Sequence, residues 1–251
     1  MAVLERKSVL VTGASSGIGR AIALRCAEAG ADLAITYRKN QEGAEATARD
    51  LRAKGRRAEV LGVDISQEEE IRRLVEHLQR TFPRIDVWIN NAGADILTGD
   101  AGRHSPLQKL DTVMAVDVRG TVLASWAAVG MMRKQGGGSI INMAWDHVGQ
   151  GMKGENPGIY SVAKGAVASF SRSLAREVAP DIRVNILAPG FIETAFGEEA
   201  DPKFRQKVIE MTPLRRWGTP DDVAGAAVFL ASDASSFLTG QMIMVNGGVV
   251  M

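Results

Sequence analysis

The most constraining stretch of this 251-residue chain is Thr12-Gly13-Ala14-Ser15-Ser16-Gly17-Ile18-Gly19. It follows the apolar run Ser8–Thr12 and opens a helical pattern over Gly17–Ala29. The run before it does not alternate, so it reads as a strand buried on both faces. Three glycines in seven residues let the backbone turn tightly and approach a ligand. The helix that follows offers free N–H groups, a seat for a pyrophosphate. The spacing is G-x-x-x-G-x-G rather than the commoner G-x-G-x-x-G. The same letters contain a formal G-x-S-x-G, the pattern of a hydrolase nucleophile elbow with Ser15 as nucleophile. Such an elbow follows several strands, and only one precedes Ser15, so position weighs against that reading.

The rest of the chain keeps the rhythm of strand and helix. Strands are expected at Asp32–Tyr37, Ala58–Val63, Ile85–Asn90, Ser139–Met143, Ile182–Leu187 and Met242–Val245. Helices are expected at Gln41–Lys54, Ser66–Thr81, within Leu107–Lys134, and at Gly158–Ala179, Lys203–Glu210 and Pro220–Ser232. Gly30 and Gly55 stop two helices, and Ser66 with Glu69 reads as a capping box. About seven buried strands joined by helical crossovers imply one doubly wound α/β domain over residues 1–251, a parallel sheet with helices on both faces. No linker, repeat or low-complexity tract divides it.

Composition narrows the function. The net charge is +1 and aromatics are 5% of the chain, which argues against nucleic acid as partner. Cys26 is the only cysteine, so neither an internal disulfide nor a cysteine zinc site can form. His77, His104 and His147 lack metal-ligand spacing, so no metal is expected. No stretch reads as a membrane span of roughly 20 apolar residues. The expectation is a cytoplasmic protein with no membrane partner.

Further motifs now fall into order. Asn90-Asn91-Ala92-Gly93 follows the fourth strand, and Tyr160-Ser161-Val162-Ala163-Lys164 lies in a helix. Pro189-Gly190 follows the sixth strand, with Thr194 beyond it, and Val245-Asn246-Gly247-Gly248 ends the chain's last strand. With the glycine-rich turn, this set resembles the short-chain dehydrogenase/reductase family over nearly the whole chain. The branch it most resembles contains 3-oxoacyl-acyl-carrier-protein reductases and glucose dehydrogenases. The resemblance implies a Rossmann fold and hydride exchange between a nicotinamide and a small ketone or secondary alcohol.

Tyr160 and Lys164 are four apart and share one helix face. By resemblance, Tyr160 is the acid/base and Lys164 assists it and holds the nicotinamide ribose. A nearby ammonium favours phenolate, so Tyr160 is expected to titrate below its usual value. The resemblance also assigns the cofactor to Gly13, Ser15, Ser16, Gly17, Ile18, Gly19, Asp64, Ile65, Asn91, Ala92, Gly93, Pro189, Gly190, Ile192 and Thr194. NAD-preferring relatives carry an acid at the end of the second strand. This chain has Tyr37, Arg38 and Lys39 there, while Asp32 is at the wrong end. Arg38 can grip a 2′-phosphate, so NADP(H) is favoured and NAD(H) remains possible.

Two departures stand out. The family's serine slot past the fifth strand holds Trp145, in Asn142-Met143-Ala144-Trp145-Asp146-His147. Asp146 or His147 is a candidate replacement for the missing polar group. Asp117 stands where relatives have asparagine, and a carboxylate there would stabilise the Lys164 ammonium. These departures leave an alternative, a catalytically weak or inactive NADP(H)-binding sensor or partner subunit.

Trp145, His147 and Phe191 are expected to touch substrate. His147–Ile159 reads as an irregular loop over the site, with Lys153 and Glu155 singled out beside His147 among its polar residues. Phe191–Pro213 reads as a second flap carrying Glu193, Phe196 and Met211. The family's habit implies a homotetramer built on Leu107–Lys134, Gly158–Ala179 and the C-terminal segment.

Overall fold

Leu10 faces one helical layer while its neighbours Val9 and Val11 face the other, and all three are fully buried. That alternation between two cores is what a strand inside a doubly covered sheet requires. The computed structural model describes residues 2–251, apart from the side chain at position 198. Its strands are β1 (Ser8–Val11), β2 (Asp32–Tyr37), β3 (Ala58–Gly62), β4 (Val87–Asn90), β5 (Gly138–Met143), β6 (Ile182–Pro189) and β7 (Met242–Val245). They form one parallel sheet in the order β3-β2-β1-β4-β5-β6-β7. The order reverses between β1 and β4, and a crevice at such a switch point is where this architecture binds ligands.

Helices α1 (Gly17–Glu28), α2 (Gln41–Ala53) and α9 (Pro220–Ala231) cover one face. Helices α3 (Glu68–Thr81), α5 (Thr121–Gln135) and α6 (Glu155–Val178) cover the other, with α4 (Pro106–Val113) beside α6. Two short helices, α7 (Ala195–Glu199) and α8 (Pro202–Met211), occupy the expected second flap.

A buried polar chain crosses the second layer. Trp88 Nε1 donates to Asn90 Oδ1 at 2.8 Å, and Asn90 Nδ2 donates to Ser125 Oγ at 3.0 Å and Asn142 Oδ1 at 2.8 Å. Asn142 Nδ2 donates to Ser171 Oγ at 2.8 Å. The chain ties β4 and β5 to α5 and α6, and each buried amide finds a partner.

Several boundaries differ from the sequence reading. Ser66 does not cap α3: its hydroxyl and its N–H both donate to Asp64 Oδ1, at 2.7 and 2.9 Å, and this local turn delays the helix to Glu68. The side-chain competition is typical of Asp and Ser next to a helix start. The long helix expected within Leu107–Lys134 is α5, and a second helix precedes it. A Ser105–Gln108 capping box opens α4, and a π-helical turn, Met114–Gly120, separates it from α5. Helix α6 begins three residues before Gly158, so Pro157 lies in its first turn, where a missing N–H costs little. Strand β6 runs on through Pro189, which pairs in register with Val245. The helical run Pro106–Gln135 is also long and apolar enough to pass for a membrane span, contrary to the sequence reading, but half of it is buried in the fold.

Candidate active site

The crevice at the switch point is a cleft of about 1480 Å³ at the C-terminal ends of β1, β2, β4, β5 and β6. The glycine-rich turn forms its floor. Gly13 has φ +66°, and a Cβ there would sit 2.8 Å from Ala92 Cα. A Cβ on Gly19 would sit 2.3 Å from the Gly13 carbonyl oxygen and 2.4 Å from Asn91 Nδ2. Both positions therefore need glycine for close packing. Thr12 Oγ1 accepts from the N–H groups of Asn91 and Ala92, each at 3.0 Å. Asn91 Nδ2 returns two bonds to the carbonyls of Thr12 and Gly13, at 2.9 and 3.1 Å. The two motifs are thus laced into one rigid turn.

Helix α1 opens at Gly17 with no side-chain cap on Ser16 and no acid in its first turn. Its orphan N–H groups and positive dipole end face the cleft, which suits a pyrophosphate. Ser15, Ser16, Gly17, Ile18 and Gly19 all line the cleft. Thr194 packs beside this helix start, its methyl 3.6 Å from where a Gly17 Cβ would lie. Pro189, Gly190 and Ile192 line the same wall.

One end of the cleft is formed by Tyr37, Arg38, Asp64 and Ile65, with Lys39 and Asn40. No acid stands at the end of β2, and Asp32 spends its carboxylate on the Arg57 N–H at 2.9 Å, beside the start of β1. Arg38 is half exposed and reaches only to 4.0 Å of Asp64 Oδ2. Asp64 itself is held by Ser66. Lys39 is exposed.

At the opposite end, the first turns of α6 bring Tyr160 and Lys164 to the cleft wall, with Lys164 Nζ 5.4 Å from the Tyr160 ring centre. The π-helical turn pushes Asp117 inward, and its Oδ1 lies 2.6 Å from Lys164 Nζ with both side chains buried. Asp117 Oδ2 accepts from the Ala94 N–H at 2.8 Å. Gly93 packs on this pair, where a Cβ would lie 3.0 Å from Asp117 Oδ1. Lys164 Nζ also donates to the Met143 carbonyl at 3.4 Å. Burial alone would depress the Lys164 ammonium, but Asp117 and Tyr160 more than offset it, and its pKa is raised.

Tyr160 departs from expectation. Burial raises its pKa, Lys164 lowers it, and Asp117 raises it again, for a net upward shift. The expectation of a lowered value set the ammonium against no burial, and burial is the larger effect, with Asp117 adding to it.

Trp145 lines the cleft and forms a T-shaped pair with Tyr160, centroids 5.5 Å apart. Asp146 and His147 do not line it, which corrects both expectations. Asp146 is 1% exposed and turns away, accepting at Oδ1 from His147 Nδ1 (2.7 Å) and at Oδ2 from Asn246 Nδ2 (3.1 Å). His147 is buried too, stacked behind Trp145 at 4.9 Å. Lys153 and Glu155 point to solvent, and the loop instead contributes Met152, Asn156 and Pro157. From the flap, Phe191, Glu193, Phe196 and Phe204 line the cleft, while Met211 is exposed outside it.

Sequence reasoning missed Asp95, Ile96, Leu97 and Thr98, which follow Gly93 into the wall. Their position directly after the Asn91-Ala92-Gly93 turn was the available signal. It also missed Asn156, whose Oδ1 accepts from the buried Lys109 Nζ at 3.0 Å. No local pattern marks that contact.

The chain is similar to known proteins over nearly its whole length. A family model described as enoyl-(acyl carrier protein) reductase matches residues 13–250. A 3-oxoacyl-[acyl-carrier-protein] reductase from Staphylococcus aureus is 35% identical over 246 residues, 98% of each chain. One from Synechocystis sp. is 36% identical over 255 residues, covering 100% of both. The crystal structure of a short-chain type dehydrogenase/reductase from Mycobacterium marinum matches with a TM-score of 0.89 at 32% identity, over 98% of this chain and 96% of that one.

Proposed function

This chain belongs to the short-chain dehydrogenase/reductase family, and from that premise we propose that it interconverts a ketone and a secondary alcohol with NADP(H), Tyr160 moving the proton. The observation that carries the reading is the meeting of Tyr160 and Lys164 with the glycine-rich turn in one cleft. The nicotinamide cofactor, when bound, supplies or accepts the hydride. The α1 N-terminus and the Gly13–Gly19 turn hold its pyrophosphate, and Asp64 and Ile65 hold its adenine end. Arg38, lacking a close carboxylate partner, takes the 2′-phosphate.

In the reducing direction the Tyr160 hydroxyl gives its proton to the carbonyl oxygen. In the oxidising direction the phenolate takes it back. Lys164 holds positive charge beside the phenol, and Asp117 keeps that ammonium protonated. The names of the relatives support a 3-oxoacyl thioester as one such ketone, and they lend the non-catalytic alternative no support. The buried free thiol of Cys26 suits the reducing cytoplasm.

We also propose a homotetramer. Trp126 on α5 is 57% exposed and packs edge-on to Phe170 of α6, and Phe237 near β7 is fully exposed. Apolar surface of this kind is normally covered. Light scattering at micromolar concentration tests it, and a monomer would refute it.

Nicotinamide absorbance tests the activity. The protein is mixed with NADPH or NADH and a panel of ketones, with Tyr160→Phe alongside. Turnover that prefers NADPH and disappears in the variant is expected. Tight NADPH binding with no turnover on any ketone would overturn the enzymatic reading.

A further inference from the structure

The chain has only 4 Trp, 2 Tyr and 7 Phe, yet six of these rings gather at one end of the cleft. Tyr160 meets Trp145 edge-on, and His147 joins Trp145 to Phe191 at 5.9 Å. Phe191 continues to Phe204 at 5.7 Å and to Trp217 at 5.6 Å, and Phe196 closes the cluster against Phe204 at 6.3 Å.

Trp145 is the ring best placed to meet a substrate. One face is stacked on His147 at an interplanar angle of 23°, and the Tyr160 ring stands at 68° to the indole with centroids 5.5 Å apart. Trp145 lines the cleft and His147 does not, so the indole face away from His147 is the one presented to the cleft. The backing is built. His147 Nδ1 bonds to buried Asp146, Asp146 accepts from Asn246, and Asn246 Nδ2 also donates to the Val250 carbonyl at 2.9 Å. The C-terminal tail therefore braces the ring from behind. Lys164 is paired with Asp117 and Arg205 with Glu193, while Asp95 adds a carboxylate to the adjoining wall, held by the Leu97 and Thr98 N–H groups, so among the described residues no cation is left free to draw an anionic group to this end.

We propose that Trp145 is a preorganised aromatic platform, that it selects ketones bearing a flat, uncharged π group on or next to the reacting carbon, and that His147, Asp146 and Asn246 are positioning residues for it. A fixed indole meets a flat ring with little loss of conformational freedom, and ring pairs gain interaction beyond area burial. A saturated ring of the same size buries similar area without that gain. The inference rests on the ketone-reductase reading for its location beside Tyr160.

The test compares acetophenone with cyclohexyl methyl ketone, which differ in the flatness of one six-carbon ring. Binding of each to the NADP⁺-loaded full-length protein is measured by calorimetry, where no turnover occurs, and kcat/KM with NADPH is measured in parallel. Acetophenone is expected to be favoured by about five- to tenfold in both. Trp145→Leu is expected to erase the ratio. His147→Gln keeps a donor for Asp146 but removes the backing ring. It is expected to raise KM for acetophenone with kcat kept, to change the indole emission, and to leave NADP⁺ affinity unchanged.

Equal binding of the two ketones, or a preference that survives Trp145→Leu, would overturn the proposal. If acetophenone binds preferentially yet neither ketone is reduced, the platform stands and the reductase reading fails. If both are reduced equally well, the reductase reading stands and the platform fails.

Discussion

Asp117 Oδ1 lies 2.6 Å from Lys164 Nζ, and neither side chain is more than 5% exposed. The pair changes the electrostatics of the whole site. The ammonium beside Tyr160 lowers the phenol's pKa, but burial raises it by more and the Asp117 carboxylate adds to the rise. The phenol is held above its ordinary value. Tyr160 is accordingly a well-protonated acid across the neutral range, a state suited to reduction.

The pH profile follows from that sign. Reduction needs the phenol, so its kcat/KM stays level through neutral pH and falls only above the ordinary tyrosine value of about 10. Oxidation needs the phenolate, so its kcat/KM climbs toward alkaline pH. Asp117→Asn removes a charge that raises the Tyr160 pKa and unmasks one that lowers it. Both profiles are expected to move to lower pH, by about 1 unit or more. Steady-state rates in both directions from pH 6 to 11 check this, and an unmoved or alkaline-shifted profile counts against it.

The same pair sets a stability test. Lys164→Met leaves a buried carboxylate with the Ala94 N–H as its remaining donor, and is expected to cost about 3–5 kcal/mol. Removing both charges in Lys164→Met with Asp117→Leu is expected to recover most of that loss, because no unpaired charge remains. Urea denaturation of the two single variants and the double variant measures the coupling. Additive losses would mean that the ion pair contributes no mutual stabilisation.

How much of this could be read from the chain differs by feature. Strands such as Asp32–Tyr37 and Met242–Val245 were legible to the residue because an apolar run between turn residues is a local signal. The glycine turn was legible because Gly13 and Gly19 permit approaches that no other residue permits. Asp117 was legible as a carboxylate near Lys164, but the π-helical turn that brings it to 2.6 Å has no sequence signature. Asp146 and His147 looked like a replacement for the absent serine because they are polar and adjacent. Their direction is set by Asn246, a hundred residues away, and spacing along the chain carries no information about that. Ser66 failed as a cap for a related reason: Asp64, two residues back, competes for its hydroxyl.

The polar chain under the sheet makes a separate prediction. Asn142 accepts from Asn90 and donates to Ser171, all buried. Asn142→Leu leaves one Asn90 donor hydrogen without that acceptor and forces an isobutyl group among polar atoms. A loss of about 2–4 kcal/mol is expected, since unsatisfied buried groups cost about 1–3 kcal/mol each. Thermal unfolding checks it, and a Tm within a degree of the parent would mean that the network relaxes freely.

The proposed preference for NADP(H) turns on Arg38. The guanidinium is half exposed and only 4.0 Å from Asp64, so it has no strong internal partner to give up. An exposed contact at that distance is weak, and little is lost when the side chain turns to a phosphate. A bidentate guanidinium–phosphate contact is among the strong charge-assisted hydrogen bonds, worth about 1.5–3 kcal/mol. Arg38→Ala is therefore expected to weaken NADPH binding by about 10- to 150-fold and to leave NADH binding within about threefold. Arg38→Asp adds repulsion against the 2′-phosphate and offers a carboxylate to a ribose 2′-OH, so it is expected to reverse the preference. Fluorescence titration of both cofactors against both variants checks this at equilibrium. Equal losses for NADPH and NADH in Arg38→Ala would place Arg38 against the shared adenosine, leaving the 2′-phosphate to Lys39 or to no side chain of β2.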